Sequence, residues 1–313
     1  MAVGRFAPSP TGDLHLGNLR TALVAWLFAR SANSDFIVRM EDLDRVQASA
    51  AVETSQLRDL EALGLDWDGD VVRQSERFDL YNDAIERLRS SDLIYPCYCT
   101  RREIQQAPRA PQASSGAEAH LTPEGVYRGT CRELTVAERE ERETAGRKAS
   151  LRLRGPNVAM EVHDDIVGVV SAMVDDVVLR RNDGVPAYNL AVVVDDDAQG
   201  IEQIVRGDDL ASSAPRQRHL GDLLGLRRFS YAHVPMVLGA GGQRLAKRDG
   251  AVTLADQAAI GNGPAEVLSM LARSIGFLDV EGPFEPSRTH ELVAAFRASM
   301  IPREPWTVAE EAH

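Results

Sequence analysis

The chain has 313 residues and a formal net charge of −12, from 35 Lys+Arg against 47 Asp+Glu. Its hydrophobic content of 44% is too high for a disordered chain, and its length is typical of about two domains. The net charge argues against a protein that holds nucleic acid mainly by bulk electrostatic attraction, so any RNA contact is expected to be small and local.

Other features argue against membrane insertion and secretion. No apolar run approaches the roughly 18–20 residues that span a bilayer. Arg5, Asp13 and Arg20 stand where a signal peptide needs its apolar segment. Three cysteines cannot all pair, which fits a reducing compartment better than a disulfide framework. We therefore expect a cytoplasmic protein, a monomer, with no membrane partner.

The first 95 residues alternate between strand and helix patterns. Leu16, Leu19 and Leu23 recur at three- and four-residue spacing after His15, which predicts a helix. Strand, helix, strand in this order is a βαβ unit and predicts a parallel sheet in an α/β protein. The predicted elements are strands at Val3–Phe6 and Asp35–Met40, the helix from His15, and helices at Ser49–Leu63 and Phe78–Ser90.

The composition changes after Pro96. Residues 107–119 are poor in bulky apolar side chains, which predicts an exposed, mobile loop. Tyr188–Val194 is a continuous apolar run before three aspartates, which predicts a buried parallel strand. From about residue 226, helical patterns dominate. Further predicted elements are a helix at Glu138–Arg147, strands at Leu151–Arg154, Ile166–Val170 and Val174–Arg181, and helices at Pro264–Ser274 and Arg288–Ser299.

A candidate phosphate site lies at the first strand-to-helix junction, in Gly12–Asn18. The N–H groups and dipole of a helix N-terminus attract anions, and Gly17 allows a close approach of the backbone. His15 and Asn18 can add donors to phosphate oxygens. Neither G-x-G-x-x-G nor G-x-x-x-x-G-K-[ST] occurs in the chain. Taken alone, this junction fits an ordinary helix start as well as a triphosphate site.

A longer run around the junction carries a family resemblance. GRFAPSPTGDLHLGNLR, residues 4–20, resembles the opening signature of glutamyl-tRNA synthetases, class I enzymes with a HIGH-type motif. The resemblance implies a Rossmann-like parallel-sheet domain that binds ATP through His15, Gly17 and Asn18. It also implies a second signature far downstream, a KMSKS-type loop that supplies a lysine to the ATP phosphates.

Arg244-Leu-Ala-Lys247-Arg248 resembles that second signature and lies in a Gly-rich stretch, with Ala246 in place of the usual serine. The composition supports the match, because 33 of the 35 cations are arginines and only two are lysines. A flexible ammonium follows phosphates through a transition state better than a planar guanidinium does. We therefore predict that His15 and Lys247 are catalytic and that both bind ATP, which carries Mg²⁺.

Glutamate presents two carboxylates and one ammonium, so its pocket requires two cations and one anion. Arg5 and Arg206 are suitable cations because a guanidinium binds a carboxylate bidentately. Glu41, at the carboxyl end of the second strand, can pair with the ammonium, and ligands bind at such strand ends in open α/β sheets. By resemblance, the glutamate-binding positions of the family are Arg5, Ala7, Ser9, Glu41, Tyr188 and Arg206.

All three cysteines fall in one short stretch, as Cys97-x-Cys99 and Cys131. Three sulfur ligands favour zinc over magnesium or calcium, and a fourth protein ligand would close a structural site. On general grounds the fourth ligand is His120 or an unfilled position. The arrangement also resembles the zinc site of one subfamily, which implies Tyr127 as the fourth ligand beside Cys97, Cys99 and Cys131.

The subfamily is suggested by length. Only 63 residues follow Gly250, whereas a full glutamyl-tRNA synthetase continues into an anticodon-binding domain. The chain therefore resembles the glutamyl-Q tRNA(Asp) synthetases, truncated paralogues of the catalytic half. Val192 supports the same resemblance, since glutamyl-tRNA synthetases usually have an asparagine at the corresponding position.

This resemblance implies tRNA-independent activation of L-glutamate with ATP and transfer of glutamate to queuosine in the anticodon loop of tRNA(Asp). It implies a catalytic domain at 1–225 with an inserted zinc-containing subdomain at 92–180. A helical subdomain at 226–313 carries the KMSKS-type loop, without an anticodon-binding domain.

Three other functions are compatible with parts of the pattern. One is a glutamyl-tRNA synthetase that charges tRNA(Glu) without an anticodon domain. A second is a small-molecule nucleotidyltransferase, which the amino-acid pattern of Arg5, Glu41 and Arg206 and the cysteine insertion disfavour. The third is an inactive RNA-binding module, which the joint presence of His15, Gly17 and Lys247 disfavours.

Overall fold

A computed structural model describes residues 3–106, 127, 129–243, 245, 252–279 and 282–308. Its strands are β1 (Val3–Phe6), β2 (Asp35–Met40), β3 (Val72–Arg73), β4 (Ile94–Cys97), β5 (Ser150–Leu153), β6 (Val158–Asp164), β7 (Gly168–Val174), β8 (Val178–Arg180), β9 (Ile201–Gly207), β10 (Ser230–Val234), β11 (Val237–Leu238) and β12 (Trp306–Thr307). Its α-helices are α1 (Leu16–Ser31), α2 (Ala50–Ala62), α3 (Phe78–Ser90), α4 (Arg101–Gln106), α5 (Val136–Thr144), α6 (Tyr188–Ala198), α7 (Ala214–Leu224), α8 (Leu254–Ala259), α9 (Pro264–Ser274) and α10 (Glu291–Ala295).

The central sheet has seven strands in the order β3-β2-β1-β9-β10-β6-β7. All neighbouring pairs are parallel except β6 and β7, which form an antiparallel hairpin at one edge. Strands β4, β5 and β8 form a separate antiparallel sheet, and the cysteine cluster lies at its edge. The α/β architecture with a mostly parallel sheet, predicted from the βαβ order, is confirmed.

The main core forms around α1, because its apolar side chains are buried on nearly every face. Leu16, Leu19, Leu23 and Leu27 are fully buried against the sheet and the C-terminal helices. This packing holds the N-terminus of α1 at the carboxyl end of β1, where ligands bind in open α/β sheets. Within the described ranges, no helix is both long and apolar enough to cross a membrane.

The predicted strand at Tyr188–Val194 is wrong, since these residues begin helix α6. Every residue from Leu190 to Asp196 is buried, so α6 lacks the polar face that makes a surface helix visible in sequence. A short apolar run does not distinguish a buried helix from a buried strand. The three aspartates that were expected to follow a strand therefore lie in the last turns of α6.

Several other boundaries differ from the sequence-based prediction. The predicted strand at Ile166–Val170 includes the first three residues of β7, but Ile166 and Val167 lie in the turn after β6, where the Asp164 side chain accepts their backbone N–H groups. Ser230–Val234, in the part expected to be helical, forms β10 of the central sheet. Within the predicted helix Arg288–Ser299, only Glu291–Ala295 is α-helical. The predicted loop at 107–119 lies outside the described residues, and the division into domains stays a prediction.

Candidate functional site

His15 is the N-cap of helix α1, and its side chain is held in place by the helix itself. Its Nδ1 accepts the N–H of Asn18 at 3.2 Å, while Asn18 Oδ1 accepts the N–H of His15 at 3.2 Å. Burial lowers the pKa of His15 despite the opposing effect of Asp209. The neutral ring therefore accepts through Nδ1, and Nε2–H is the donor left for a ligand. Asn18 has a structural role that the sequence did not reveal, and its contact with phosphate stays a prediction.

Gly17 is required by the position of the His15 ring. A Cβ atom at residue 17 would lie 2.9 Å from Cε1 of His15, closer than such atoms approach in proteins. The sequence suggested that Gly17 gives phosphate access to the backbone. The structure adds that Gly17 lets the imidazole lie against the first turn of α1.

The described chain after the segment around Lys247 lies against the same helix start. Lys247 itself lies outside the described residues, and so do its neighbours 246 and 248–251. The chain immediately after this segment is described: Val252 accepts the N–H of Leu16 at 2.8 Å, and Thr253 forms a β-bridge with His15. The chain that directly follows the second signature-like stretch therefore lies at the N-terminus of α1.

The turn after β1 contains Ala7 and Ser9 and is fixed by bonds from two directions. The N–H of Glu41 donates to the carbonyl of Pro8 at 2.8 Å. The buried amide of Gln56, on α2, donates to the carbonyl of Ser9 at 3.0 Å. The turn is thus attached both to the end of β2 and to α2, and Gln56 is a positioning side chain that the sequence did not single out.

Arg5 is buried at the centre of the sheet and already has a charged partner. Its Nε donates to Asp196 Oδ1 at 3.2 Å, and its Nη1 donates to the carbonyl of Val205 at 2.9 Å. Asp196 also accepts from the fully buried Arg39 at 2.7 Å. Burial would raise the pKa of Asp196, but Arg5 and Arg39 outweigh it, so the pKa is lowered and the carboxylate stays charged.

Glu41 lies one residue beyond β2 and beside these cations. Its Oε1 is 3.4 Å from Nη2 of Arg39. Burial raises the pKa of Glu41, although Arg39 and Arg5 oppose this shift. An ammonium group placed against this carboxylate would compensate for its burial, as the sequence-based assignment expects.

Arg206 differs from Arg5 in that its partners in the described ranges are all neutral. Its Nε donates to Nε2 of His233 at 3.0 Å and its Nη1 to Oε1 of Gln217 at 2.7 Å. Tyr188 Oη lies 3.4 Å from Nη1, and the carbonyl of Leu210 is 3.3 Å from Nη2. Among the residues that the structure describes, no carboxylate lies within 4.0 Å of the Arg206 guanidinium nitrogens, the distance that defines an ion pair. A guanidinium that is only 6% exposed is costly without a counterion, so this position is suited to a carboxylate ligand.

The structure brings the predicted glutamate-binding side chains together. Tyr188 contacts Arg206 directly, and the charges of Arg5 and Glu41 both act on the Tyr188 hydroxyl. Burial, the largest effect, raises the pKa of Tyr188. The predicted strand at 188–194 was wrong, yet Tyr188 still reaches the pocket because it begins α6 beside the end of β9.

The sequence missed several residues that hold this pocket. They are Asp196 and Arg39 beside Arg5, and Gln217, His233 and Asp164 behind Arg206. Two signals were available in the sequence: the three aspartates after an apolar run, and a single histidine within the apolar stretch 229–234. Neither signal indicates which arginine the side chain would meet.

The three cysteine thiols and the Tyr127 hydroxyl form a second cluster. All three Sγ atoms lie within 4.8 Å of one another, with Cys99 and Cys131 3.6 Å apart. The Tyr127 hydroxyl is 3.4 Å from Cys97 Sγ and 3.9 Å from Cys99 Sγ. Ligands about 2.3 Å from a tetrahedral zinc ion lie about 3.8 Å apart, so the four groups fit one zinc ion. His120, the other candidate ligand, lies outside the described residues.

Two arginines surround the sulfur cluster. The Arg152 guanidinium lies 3.8 Å from the centre of the Tyr127 ring, and Nη1 of Arg142 donates to Cys131 Sγ at 3.7 Å. The N–H of Tyr127 donates to Asp175 Oδ2 at 2.9 Å, which fixes the backbone of that residue. After the larger effect of the Cys131 thiol, the charge of Arg152 also lowers the pKa of Cys97 and favours the thiolate form that binds metal.

Comparison with known proteins agrees with this geometry. Residues 1–312 match the family model of tRNA synthetases class I (E and Q), catalytic domain. The glutamyl-Q tRNA(Asp) synthetase of Nocardia farcinica is 57% identical over 307 residues, which cover 98% of this chain and 93% of the relative. The glutamate–tRNA ligase of Oleidesulfovibrio alaskensis is 40% identical over 275 residues, which cover 87% of this chain but 56% of that protein.

A solved structure supports the same assignment. The glutamate tRNA ligase of Elizabethkingia meningosepticum, crystallised in complex with its amino acid, superposes with a TM-score of 0.81 at 27% identity. The match covers 99% of this chain and 67% of that one. The chain belongs to the class I tRNA synthetases (E and Q), within the group of glutamyl-Q tRNA(Asp) synthetases.

Proposed function

We propose that the protein activates L-glutamate with ATP and transfers the glutamyl group to queuosine in the anticodon loop of tRNA(Asp). The observation that carries the proposal is Arg206, a buried guanidinium with only neutral described partners, close to Tyr188. Glu41 and Arg5 complete a charge pattern that matches an amino acid with a second carboxylate. The substrate RNA is inferred from the names of the most similar relatives.

In the first step, an oxygen of the glutamate α-carboxylate attacks the α-phosphorus of ATP. An acyl–phosphate bond forms, the bond to the bridging oxygen breaks, and pyrophosphate leaves. No protein nucleophile is required, because alignment and stabilisation of negative charge account for the acceleration. We assign the stabilisation of this negative charge to Nε2–H of His15 and the ammonium of Lys247.

In the second step, a hydroxyl of the queuosine cyclopentene-diol attacks the glutamyl carbonyl. An ester forms, AMP leaves, and the hydroxyl proton passes to solvent or to the departing phosphate. Because tRNA is a substrate, we propose that the protein works in the cytoplasm. A zinc ion held by Cys97, Cys99, Tyr127 and Cys131 is proposed to be structural, since four protein ligands leave no open position for a reactant.

Glutamate-dependent ATP–pyrophosphate exchange tests the first step. We expect exchange without tRNA, and we expect Lys247→Ala to abolish it while the fold is retained. The chain offers a matched control, because its other lysine, Lys148, is exposed and precedes β5 of the separate antiparallel sheet. Lys148→Ala should therefore exchange at the wild-type rate. Wild-type protein without glutamate-dependent exchange, or full exchange by the Lys247 variant, would contradict the proposal.

The RNA substrate requires a separate measurement. Radiolabelled glutamate is offered with three RNAs: tRNA(Asp) containing queuosine, the same tRNA from cells unable to make queuosine, and tRNA(Glu). We expect label only on the first RNA. Label on tRNA(Glu) would instead indicate a glutamyl-tRNA synthetase, the activity of the more distant relatives.

A further inference from the structure

A buried histidine–carboxylate pair lies directly behind Arg206. His233, on β10, has its Nδ1 2.6 Å from Oδ2 of Asp164, at the end of β6. Its other nitrogen, Nε2, accepts the Nε–H of Arg206 at 3.0 Å. Both members of the pair are almost completely buried, so neither one reaches solvent or substrate.

The hydrogen bonds determine the tautomer of His233. The Nε of Arg206 always carries a proton, so Nε2 of His233 must be an acceptor and the ring proton must be on Nδ1. Asp164 stabilises this tautomer by accepting that proton through Oδ2. Its Oδ1 accepts the N–H groups of Ile166 at 3.0 Å and Val167 at 2.9 Å, which fixes the carboxylate.

The same contacts determine how Arg206 presents its remaining donors. With Nε bound to His233, a carboxylate cannot use the side-on pair of Nε and Nη. Gln217 and Leu210 accept from Nη1 and Nη2, and each of these nitrogens has a second N–H; the one on Nη1 has the Tyr188 hydroxyl as a longer contact at 3.4 Å, which a charged carboxylate can replace. The end-on pair of Nη nitrogens is therefore left for a bidentate carboxylate contact.

We propose that His233 is a positioning residue for glutamate binding, and that Asp164 acts through it by selecting the tautomer. The role is to hold the Arg206 guanidinium with its two Nη groups toward the substrate carboxylate. This inference rests on the proposed function, in which Arg206 binds a carboxylate of glutamate.

Two substitutions at His233 test separately the two hydrogen bonds of its ring, to Asp164 and to Arg206. His233→Asn keeps an amide near Nδ1, for Asp164, but removes the acceptor for Arg206. His233→Gln places an amide oxygen near Nε2 and so keeps that acceptor. We expect His233→Asn to raise the KM for glutamate about tenfold to hundredfold, with the KM for ATP unchanged. His233→Gln should stay within about threefold of wild type.

Asp164→Asn tests the tautomer independently. The amide oxygen can keep the bonds of Oδ1, while the amide N–H faces Nδ1 of His233 and moves the ring proton to Nε2. Two N–H groups then oppose each other between His233 and Arg206, so the KM for glutamate should rise as it does in His233→Asn. His219→Asn, on the neighbouring helix α7, is the control for loss of a histidine and should leave both KM values unchanged.

Pyrophosphate exchange, with circular dichroism to verify folding, measures all four variants. The positioning role would be overturned if His233→Asn and His233→Gln changed the KM for glutamate equally, or if the KM for ATP rose in parallel. A wild-type KM for glutamate in Asp164→Asn would also overturn it. Absence of glutamate-dependent exchange in the wild type would instead overturn the proposed function. The two failures are therefore distinguishable.

Discussion

Asp196 is expected to be the side chain on which the buried charges of the pocket depend most. Its Oδ1 accepts from Nε of Arg5 at 3.2 Å and from Nη1 of Arg39 at 2.7 Å, and its Oδ2 accepts from Nη2 of Arg5 at 3.4 Å. Arg39 has a further carboxylate in Glu41, 3.4 Å away. Among the described residues, Arg5 has no carboxylate other than Asp196 within 4.0 Å.

Asp196→Asn keeps the shape of the side chain and one acceptor oxygen but removes the negative charge. Arg5 then remains buried without a counterion, and an amide N–H faces its Nη2. Removing one member of a buried ion pair costs about 3–5 kcal/mol. Because a folded domain is stable by about 5–15 kcal/mol in total, the loss should be large in a urea unfolding curve.

The next residue in the chain provides a matched control. Asp197 pairs with Arg227 at 3.2 Å, and both side chains are partly exposed, at 29% and 44%. Asp197→Asn makes the same change in net charge but should cost at most about 1 kcal/mol. If the unfolding free energies of the two variants differ by less than about 1 kcal/mol, the buried charge pair does not have the role assigned to it here.

Three further predictions follow from the structure. Gly17→Ala should displace the His15 ring and lower the rate of pyrophosphate exchange about 10²–10³-fold, as the loss of one transition-state donor does. Gly221→Ala is its control, because a Cβ there would make only an ordinary van der Waals contact in helix α7, and this variant should exchange at the wild-type rate. Metal analysis should find about one zinc per chain, and Cys131→Ser should lose that zinc and melt at a lower temperature. The site would be refuted if wild-type protein contained no zinc and a chelator left its melting temperature unchanged. Burial lowers the pKa of His233 below 6.5, so the unfolded chain binds a proton before the folded one does, and stability falls as the pH drops below about 6.5. The stability difference between wild type and His233→Gln should therefore shrink in urea titrations between pH 7 and 5, by at most about 1.4 kcal/mol per pH unit; a constant difference would exclude this linkage.

Where a segment's conformation depends on its own residues, the sequence was informative. The periodicity of α1, the alternation of β1, α1 and β2, and the helix at Pro264–Ser274 were all predicted, because a face that repeats every 3.6 residues needs no knowledge of its neighbours. The cysteine cluster was also predicted from sequence, since all three thiols lie close together in the chain.

A segment that is buried on all sides has no polar face in its sequence to indicate whether it is a helix or a strand. Tyr188–Val194 forms a helix although its apolar run predicts a strand, because packing surrounds α6 and leaves no polar face in the sequence. Similarly, β10 was hidden in a segment whose surroundings look helical, and only its pairing with β9 defines it as a strand.

The functional difference between the two pocket arginines was decided by tertiary structure alone. In the sequence, Arg5 and Arg206 are equivalent candidates for a carboxylate ligand. In the fold, Asp196 neutralises Arg5, while the partners of Arg206 in the described part of the chain, such as His233 and Gln217, carry no negative charge. The sequence by itself determined which residue types are available and which local elements form. Which cation meets which anion depends on contacts between distant strands and helices, because Coulomb interactions and desolvation are set by distance and burial rather than by order along the chain.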